Sequence, residues 1–119
     1  GENISEIMTT IDHKKLLGVM LSCVSPENYE KNLDEIKSLG VPFGFKLNGF
    51  VTTKPAAGYT NTFNKSKTGN PNEFLGHRED LIPEKMALFV KKFKEAGATI
   101  LGGCCETRPA HIKEMARLK

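Results

Sequence analysis

The chain has 119 residues, of which 39% are hydrophobic and 26% charged, with a formal net charge of +3 at pH 7. This composition is typical of one soluble domain and unlike that of a disordered chain. No stretch approaches the roughly 18 apolar residues that a membrane helix needs, and the N-terminus lacks a secretory signal pattern, so we expect a cytoplasmic protein with no membrane partner. Basic and acidic residues are interspersed along the chain, which argues against a nucleic-acid partner.

The N-terminal segment has the pattern of a short amphipathic helix. Asn3 is a suitable N-cap with Glu6 three residues later, and isoleucine and methionine recur at helical spacing over residues 3–12. The chain starts at Gly1, without an initiator methionine, and enters this pattern at once. We therefore expect the sequence to be a piece of a longer one.

A strand and a helix are predicted next. The segment KLLGVMLS, which ends at Ser22, is nearly continuously apolar, as in a parallel-sheet strand buried on both faces. Ser25 is the expected N-cap of the following helix, Pro26 its first residue and Gly40 its left-handed stop. The apolar stripe of this helix consists of Tyr29, Leu33 and Ile36.

Two more strand and helix pairs follow. FGFKLNGF, residues 43–50, is the second predicted strand, and ATIL is the third. Pro83 opens one helix, Gly97 closes it, and Pro109 opens the last one. The predicted inward residues of these helices are Met86, Phe89, Val90, Phe93, Ile112 and Met115. Threefold alternation of strand and helix predicts an α/β fold with parallel strands and right-handed crossovers.

The connection over residues 51–82 is far longer than a usual strand-to-helix loop. It contains Tyr59, Phe63, Phe74 and His77 among small and polar residues. A lid over a site is the functional interpretation, and a solvated insertion or a partner contact is the alternative.

The three cysteines are the candidates for chemistry. Cys23 follows the first predicted strand and the pair Cys104 and Cys105 follows the third, so all three should gather where parallel strands end. Adjacent cysteines rarely bridge each other, because their Cα atoms lie only about 3.8 Å apart. Gly102 and Gly103 should let the backbone turn so that both sulfurs face one ion. Three thiolates with an open fourth position describe a catalytic zinc site, while a redox dithiol and inert packing stay open as alternatives. His13 and His111 lie on or beside predicted helices and are not expected to be ligands.

The segment GGCCETRPAHI resembles the signature of the homocysteine S-methyltransferase family, in which Gly-Gly-Cys-Cys ends the last strand of a (β/α)8 barrel. GVMLSCVSPENYEKNL and FKLNGF resemble the family's sixth-strand and seventh-strand segments, so the resemblance covers residues 15–119. A complete barrel takes about 250 residues. The resemblance therefore implies that residues 1–119 form one partial homocysteine-binding barrel domain. This domain would be the C-terminal three-eighths of the barrel, three strand-helix units preceded by a short helix.

The resemblance also implies an activity and a site. The activity is zinc-dependent methyl transfer to homocysteine, of the methionine-synthesis type, from a small-molecule donor such as S-methylmethionine, betaine or methylfolate. The implied Zn²⁺ ligands are Cys23, Cys104 and Cys105, with no catalytic residue beyond them. Asn48 and Ser22 are the implied homocysteine-binding residues. Two positions depart from the family pattern, since Ser22 replaces an asparagine and Glu106 replaces a frequent glycine. The segment alone is expected to be inactive and to need the rest of the barrel or self-association.

Two hypotheses from other classes stay open. One is a sensor or redox module that uses Cys104 and Cys105 without zinc, and the other is a non-catalytic barrel piece that binds a partner chain. Metal content distinguishes the first hypothesis from a zinc enzyme. The second predicts that no methyl transfer occurs even when the missing part of the barrel is supplied.

Overall fold

The computed structural model describes residues 3–52 and 75–118 as a three-stranded sheet with helices packed on one face. The strands are β1 (Val19–Val24), β2 (Phe43–Leu47) and β3 (Ile100–Gly103). The sheet order is β1-β2-β3 and both pairs are parallel. The helices are α1 (Ile4–Thr9), α2 (Pro26–Lys31), α3 (Leu33–Ser38), α4 (Pro83–Glu95) and α5 (Pro109–Ala116), with one 3₁₀ turn at His13–Lys15. Strands and helices therefore alternate three times, as the sequence predicted.

The strand limits differ from the predicted ones because pairing, not apolar content, decides where each strand begins and ends. β1 starts at Val19, which pairs with Phe43, and the apolar residue Leu17 before it is 94% exposed. β1 also continues past Ser22, includes Cys23 and ends at Val24. β2 stops at Leu47 instead of residue 50, and β3 includes both glycines that precede the cysteine pair.

The segment between β1 and β2 forms two short helices where the sequence predicted one. Asn32 separates α2 from α3, and its side-chain amide donates to the backbone carbonyl of Asn28 at 2.7 Å. Such side-chain bonds to nearby backbone compete with the regular helix. The predicted ends are confirmed: the Ser25 hydroxyl accepts a hydrogen bond from the Asn28 amide at 3.3 Å, and Gly40 has φ +67°. The first helix is shorter than predicted and its Asn3 makes no side-chain cap bond.

The hydrophobic core lies between one face of the sheet and the helices. Its centre is the aromatic group Tyr29, Phe45 and Phe93, whose ring centroids are 4.8 to 5.5 Å apart. Most of the predicted inward residues are buried: Leu33, Ile36, Met86, Val90 and Met115. Together these residues bury the apolar face of every helix from α2 to α5.

Helix α5 turns a histidine, not the predicted isoleucine, toward the core. Ile112 is 45% exposed, whereas His111 is buried. Nδ1 of His111 accepts a hydrogen bond from the Arg108 amide at 3.0 Å, and Nε2 lies 2.9 Å from the Leu81 carbonyl oxygen. Because both ring nitrogens have protein partners, burial of this imidazole leaves no polar atom unsatisfied.

The face of the sheet opposite the helices, here called the inner face, is open in the described part of the chain. Side chains alternate across the strands, so Met20, Ser22, Lys46 and Ile100 share this face. Met20 is 44% exposed and Ser22 is also exposed. Helices cover only one face of β1 in the described part of the chain, so these residues alone do not supply the burial on both faces for which its apolar sequence is suited.

The beginning and the end of the long loop lie side by side. Phe50 and His77 form an isolated antiparallel bridge, and the Val51 amide donates to the Gly76 carbonyl at 3.0 Å. Tyr59, Phe63 and Phe74 lie outside the described residues, so the lid remains a prediction. None of the described helices is long and apolar enough to cross a membrane.

Candidate metal centre

The three cysteines meet at the edge of the sheet where all three strands end, here called the carboxyl edge. Their sulfur atoms all lie within 4.8 Å of one another, and Sγ of Cys23 is 3.7 Å from Sγ of Cys105. Cys23 comes from β1 and Cys104 and Cys105 directly follow β3, so the three thiols span β2. The gathering expected from the strand order is confirmed.

A β-bulge places Cys23 in this cluster. The register of β1 against β2 shifts between Ser22 and Val24, and Cys23 between them has φ +55°, in the left-handed region. A bulge inserts one extra residue and re-aims its side chain. This conformation costs a residue other than glycine about 1–2 kcal/mol. The sequence placed Cys23 beyond the strand, but the cysteine lies inside it at a strained position.

The turn that carries the cysteine pair is held by backbone bonds to the end of β2. The Cys104 amide donates to the Leu47 carbonyl at 2.7 Å, and the Cys105 carbonyl accepts from the Gly49 amide at 2.9 Å. The Cys104 carbonyl accepts from the Thr107 amide at 3.1 Å and from the Thr107 hydroxyl at 2.5 Å. Both cysteines are thus fixed by main-chain contacts.

The glycines before the pair have a different role from the predicted one. Gly102 and Gly103 lie in β3, and the turn is made after them at Cys105 and Glu106. A Cβ atom at Gly103 would lie 2.3 Å from Oγ1 of Thr107. Glycine at 103 therefore permits a close approach of the turn to the strand.

Asn48 directly follows β2 and is completely buried beside Cys23. Its Nδ2 donates to the Cys23 carbonyl at 2.6 Å and lies 3.7 Å from the Cys23 sulfur. Its Oδ1 accepts from the Phe50 amide at 3.2 Å. Asn48 thus joins the bulged residue of β1 to the start of the long loop. Ser22 lies on the inner face, exposed and in register with Lys46.

Glu106 connects the cysteine turn to the end of the long loop. Its carboxylate is 2.9 Å from Nδ1 of His77, 3.9 Å from the Arg108 guanidinium, and only 7% exposed. No local sequence pattern predicts this contact, because the two residues are 29 positions apart.

The thiols of the pair differ in acidity. Burial, and to a lesser extent interactions with Cys23 and Cys104, together raise the pKa of Cys105 to about 11. Burial also opposes ionisation of Cys104, yet its pKa lies below the usual value because hydrogen bonds from Cys23 and Cys105 and the charge of Lys46 favour its thiolate. Three thiolates this close together would repel one another, so ionisation of all three cysteines requires a cation among them.

The cluster fits a zinc ion. Tetrahedral Zn²⁺ with Zn–S bonds of about 2.3 Å requires sulfur atoms about 3.8 Å apart. The 3.7 Å separation of the Cys23 and Cys105 sulfurs agrees with that spacing. Among residues 3–52 and 75–118 these three cysteines are the one group of histidine, cysteine or carboxylate side chains close enough to share a metal.

Comparison with models of protein families matches residues 1–118 to the homocysteine S-methyltransferases. The chain belongs to the homocysteine S-methyltransferase family. The relatives include Homocysteine S-methyltransferase 2 of Arabidopsis thaliana, 27% identical over 114 residues, which are 95% of this chain and 30% of that protein. Homocysteine S-methyltransferase 1 of Zea mays is 24% identical over 123 residues, 99% of this chain and 32% of that protein.

A shorter match has higher identity. Homocysteine S-methyltransferase 1 of Saccharomyces cerevisiae is 42% identical over 53 residues, which are 44% of this chain and 16% of that protein. The chain thus spans about a third of the length of its plant relatives. No solved structure matches it significantly.

The backbone of Glu106 has a conformation that glycine adopts more easily than other residues. Its φ is +61°, in the left-handed region. The Glu106 carboxylate, 2.9 Å from Nδ1 of His77, holds the side chain at this turn. Glu106 therefore combines the turn conformation with a tether to the end of the loop.

Proposed function

We propose that this chain is the zinc-binding part of an enzyme that transfers a methyl group from a small-molecule donor to the thiol of homocysteine. The observation that carries the proposal is the convergence of Cys23, Cys104 and Cys105 at the carboxyl edge, in a member of this family. Parallel α/β folds and barrels build their sites at this edge.

We propose further that the chain forms the C-terminal three-eighths of a (β/α)8 barrel. Three adjacent parallel strands in sequence order, with helices on one face only, are the arrangement of a barrel segment. β1 and β3 are edge strands of the described sheet, and Met20 and Ile100 are exposed on its inner face. Unpaired edges and apolar surface favour association, so the segment needs the remaining strands or further copies of itself to be stable and active.

The role of each site residue follows from its contacts. Cys23, Cys104 and Cys105 would hold the metal and leave one position for the substrate. Zinc bound there would keep the substrate thiol, whose free pKa is about 8.5, as a nucleophilic thiolate at neutral pH. Asn48 orients Cys23 through its carbonyl and sulfur, and we propose that it and Ser22 border the homocysteine pocket. The loop over residues 51–82 is proposed as a lid that excludes water.

The proposal predicts that the complete polypeptide that carries this segment makes methionine. Purified with zinc, it should convert homocysteine with one donor among S-methylmethionine, betaine and methylfolate, each labelled with deuterium in the transferred methyl group. Mass spectrometry of the product should show methionine that carries the whole labelled methyl group. Cysteine replaces homocysteine as the control thiol and should react much more slowly. Absence of labelled methionine with every donor would contradict the proposed function.

A further inference from the structure

Lys46 lies in the middle of the proposed pocket wall and has no role in holding the cysteines. Its neighbours in β2, Phe45 and Leu47, are completely buried against the helices, so alternation puts Lys46 on the inner face. It is in register with Ser22 of β1 and Gly102 of β3. These three paired residues lie just before the strand ends that carry the cysteines.

The surroundings of Lys46 leave room for a ligand. Gly102 has no side chain, and a Cβ atom there would lie 3.6 Å from Cγ of Lys46, so the lysine stem passes over this glycine. Ser22 on the other side has only a short hydroxyl side chain and is exposed. The ammonium group is near enough to the cluster for its charge to favour the Cys104 thiolate.

The ammonium group of Lys46 makes no hydrogen bond or ion pair with any residue of the ranges 3–52 and 75–118. A lysine inside a closed barrel would be strongly desolvated, and such a charge needs an anionic partner. A carboxylate that enters with the substrate supplies that partner only when the site is occupied.

We propose that Lys46 binds the carboxylate of a substrate at a subsite on the inner face, formed with Ser22 and Gly102 and adjacent to the cysteine cluster. This inference rests on the proposed function and adds a recognition residue to it. Homocysteine carries a carboxylate, and so does each of the three donors named above. An ammonium-carboxylate contact in a partly dry site is a charge-assisted hydrogen bond, which is stronger than a neutral one.

The test compares Lys46→Met with Lys46→Arg in the complete polypeptide, with Lys37→Met as the matched control. Lys37 lies on α3 and is exposed. Lys46→Met should raise the KM of one substrate by about 10- to 100-fold, as expected for loss of a hydrogen bond to a charged group, with a smaller change in kcat. Lys46→Arg should restore most of the loss, and Lys37→Met should match the unaltered protein.

The carboxylate can come from homocysteine or from the methyl donor, and the substrate whose KM rises in Lys46→Met identifies its source. If homocysteine is the source, the unaltered protein should prefer it over 3-aminopropanethiol, its decarboxylated analogue, and Lys46→Met should lose that preference. If the donor is the source, only its KM should rise.

Normal turnover with both KM values unchanged in Lys46→Met would contradict the Lys46 proposal alone. A Lys46→Met variant that unfolds, with both KM values unchanged in Lys46→Gln, would assign Lys46 to an internal ion pair and also contradict it. No turnover of the unaltered protein would contradict the proposed function and this inference with it.

Discussion

Cys104→Ala and Cys105→Ala, each made in the complete polypeptide, should lower kcat/KM for methyl transfer by more than about 100-fold. Loss of residues that merely orient metal ligands already costs about 10- to 100-fold in activity or metal affinity, so loss of a ligand should exceed that. The fold should survive, because both cysteines lie at the carboxyl edge while the core is centred on Tyr29, Phe45 and Phe93. Turnover, zinc content and far-ultraviolet circular dichroism measure the three effects separately.

The control for the cysteine variants is Thr99→Ala, which removes an exposed side chain just before the opposite end of β3. It should retain both turnover and zinc. Near-normal turnover in either cysteine variant would exclude a mechanism that depends on the thiolates. Unfolding of both variants would instead assign the cluster a structural role.

Asn48→Ala should weaken zinc binding by about 10- to 100-fold, which is the usual effect of removing a group that orients a metal ligand. The change removes the bonds from Nδ2 to the Cys23 carbonyl and from the Phe50 amide to Oδ1, both in the part of the site that fixes the bulge. Unpaired buried polar groups cost about 1–3 kcal/mol, so the free energy of unfolding should fall by a similar amount. Competition with a chromophoric chelator measures the affinity, and urea titration measures the stability.

Asn48→Asp separates the two functions of this amide. The carboxylate still accepts from the Phe50 amide but cannot donate to the Cys23 carbonyl, so the bulge should lose its tether while the loop contact stays. Asn28→Ala, at an exposed asparagine of α2, is the matched control and should leave zinc affinity unchanged. Zinc affinity in Asn48→Ala equal to that of the unaltered protein would contradict the role given to Asn48.

Features with local causes were predictable from the sequence. Pro26, Pro83 and Pro109 each start a helix, and Gly40 and Gly97 end one with positive φ, because these residues restrict or free the backbone directly. The gathering of the cysteines was predictable too, since it follows from parallel strand order alone.

Features that depend on contacts between distant segments were not predictable. The bulge at Cys23 requires the register of β1 on β2 and the amide of Asn48, 25 residues away. The pair of Glu106 with His77 requires the path by which the long loop returns to the sheet. The apolar sequence of β1 is suited to burial on both faces, and helices cover only one face in the described part of the chain. The hydrophobic pattern of one segment does not show which other segment packs against it.

Zinc-edge X-ray absorption on the complete polypeptide tests the role of the cysteine cluster most directly. With zinc bound, the spectrum should show a shell of about three sulfur atoms at about 2.3 Å and one lighter ligand. Addition of homocysteine should replace the lighter ligand and bring the shell to about four sulfurs. The absence of any Zn–S shell, or a zinc-free protein in which two of the three cysteines form a disulfide, would contradict a zinc-thiolate site and favour a redox role.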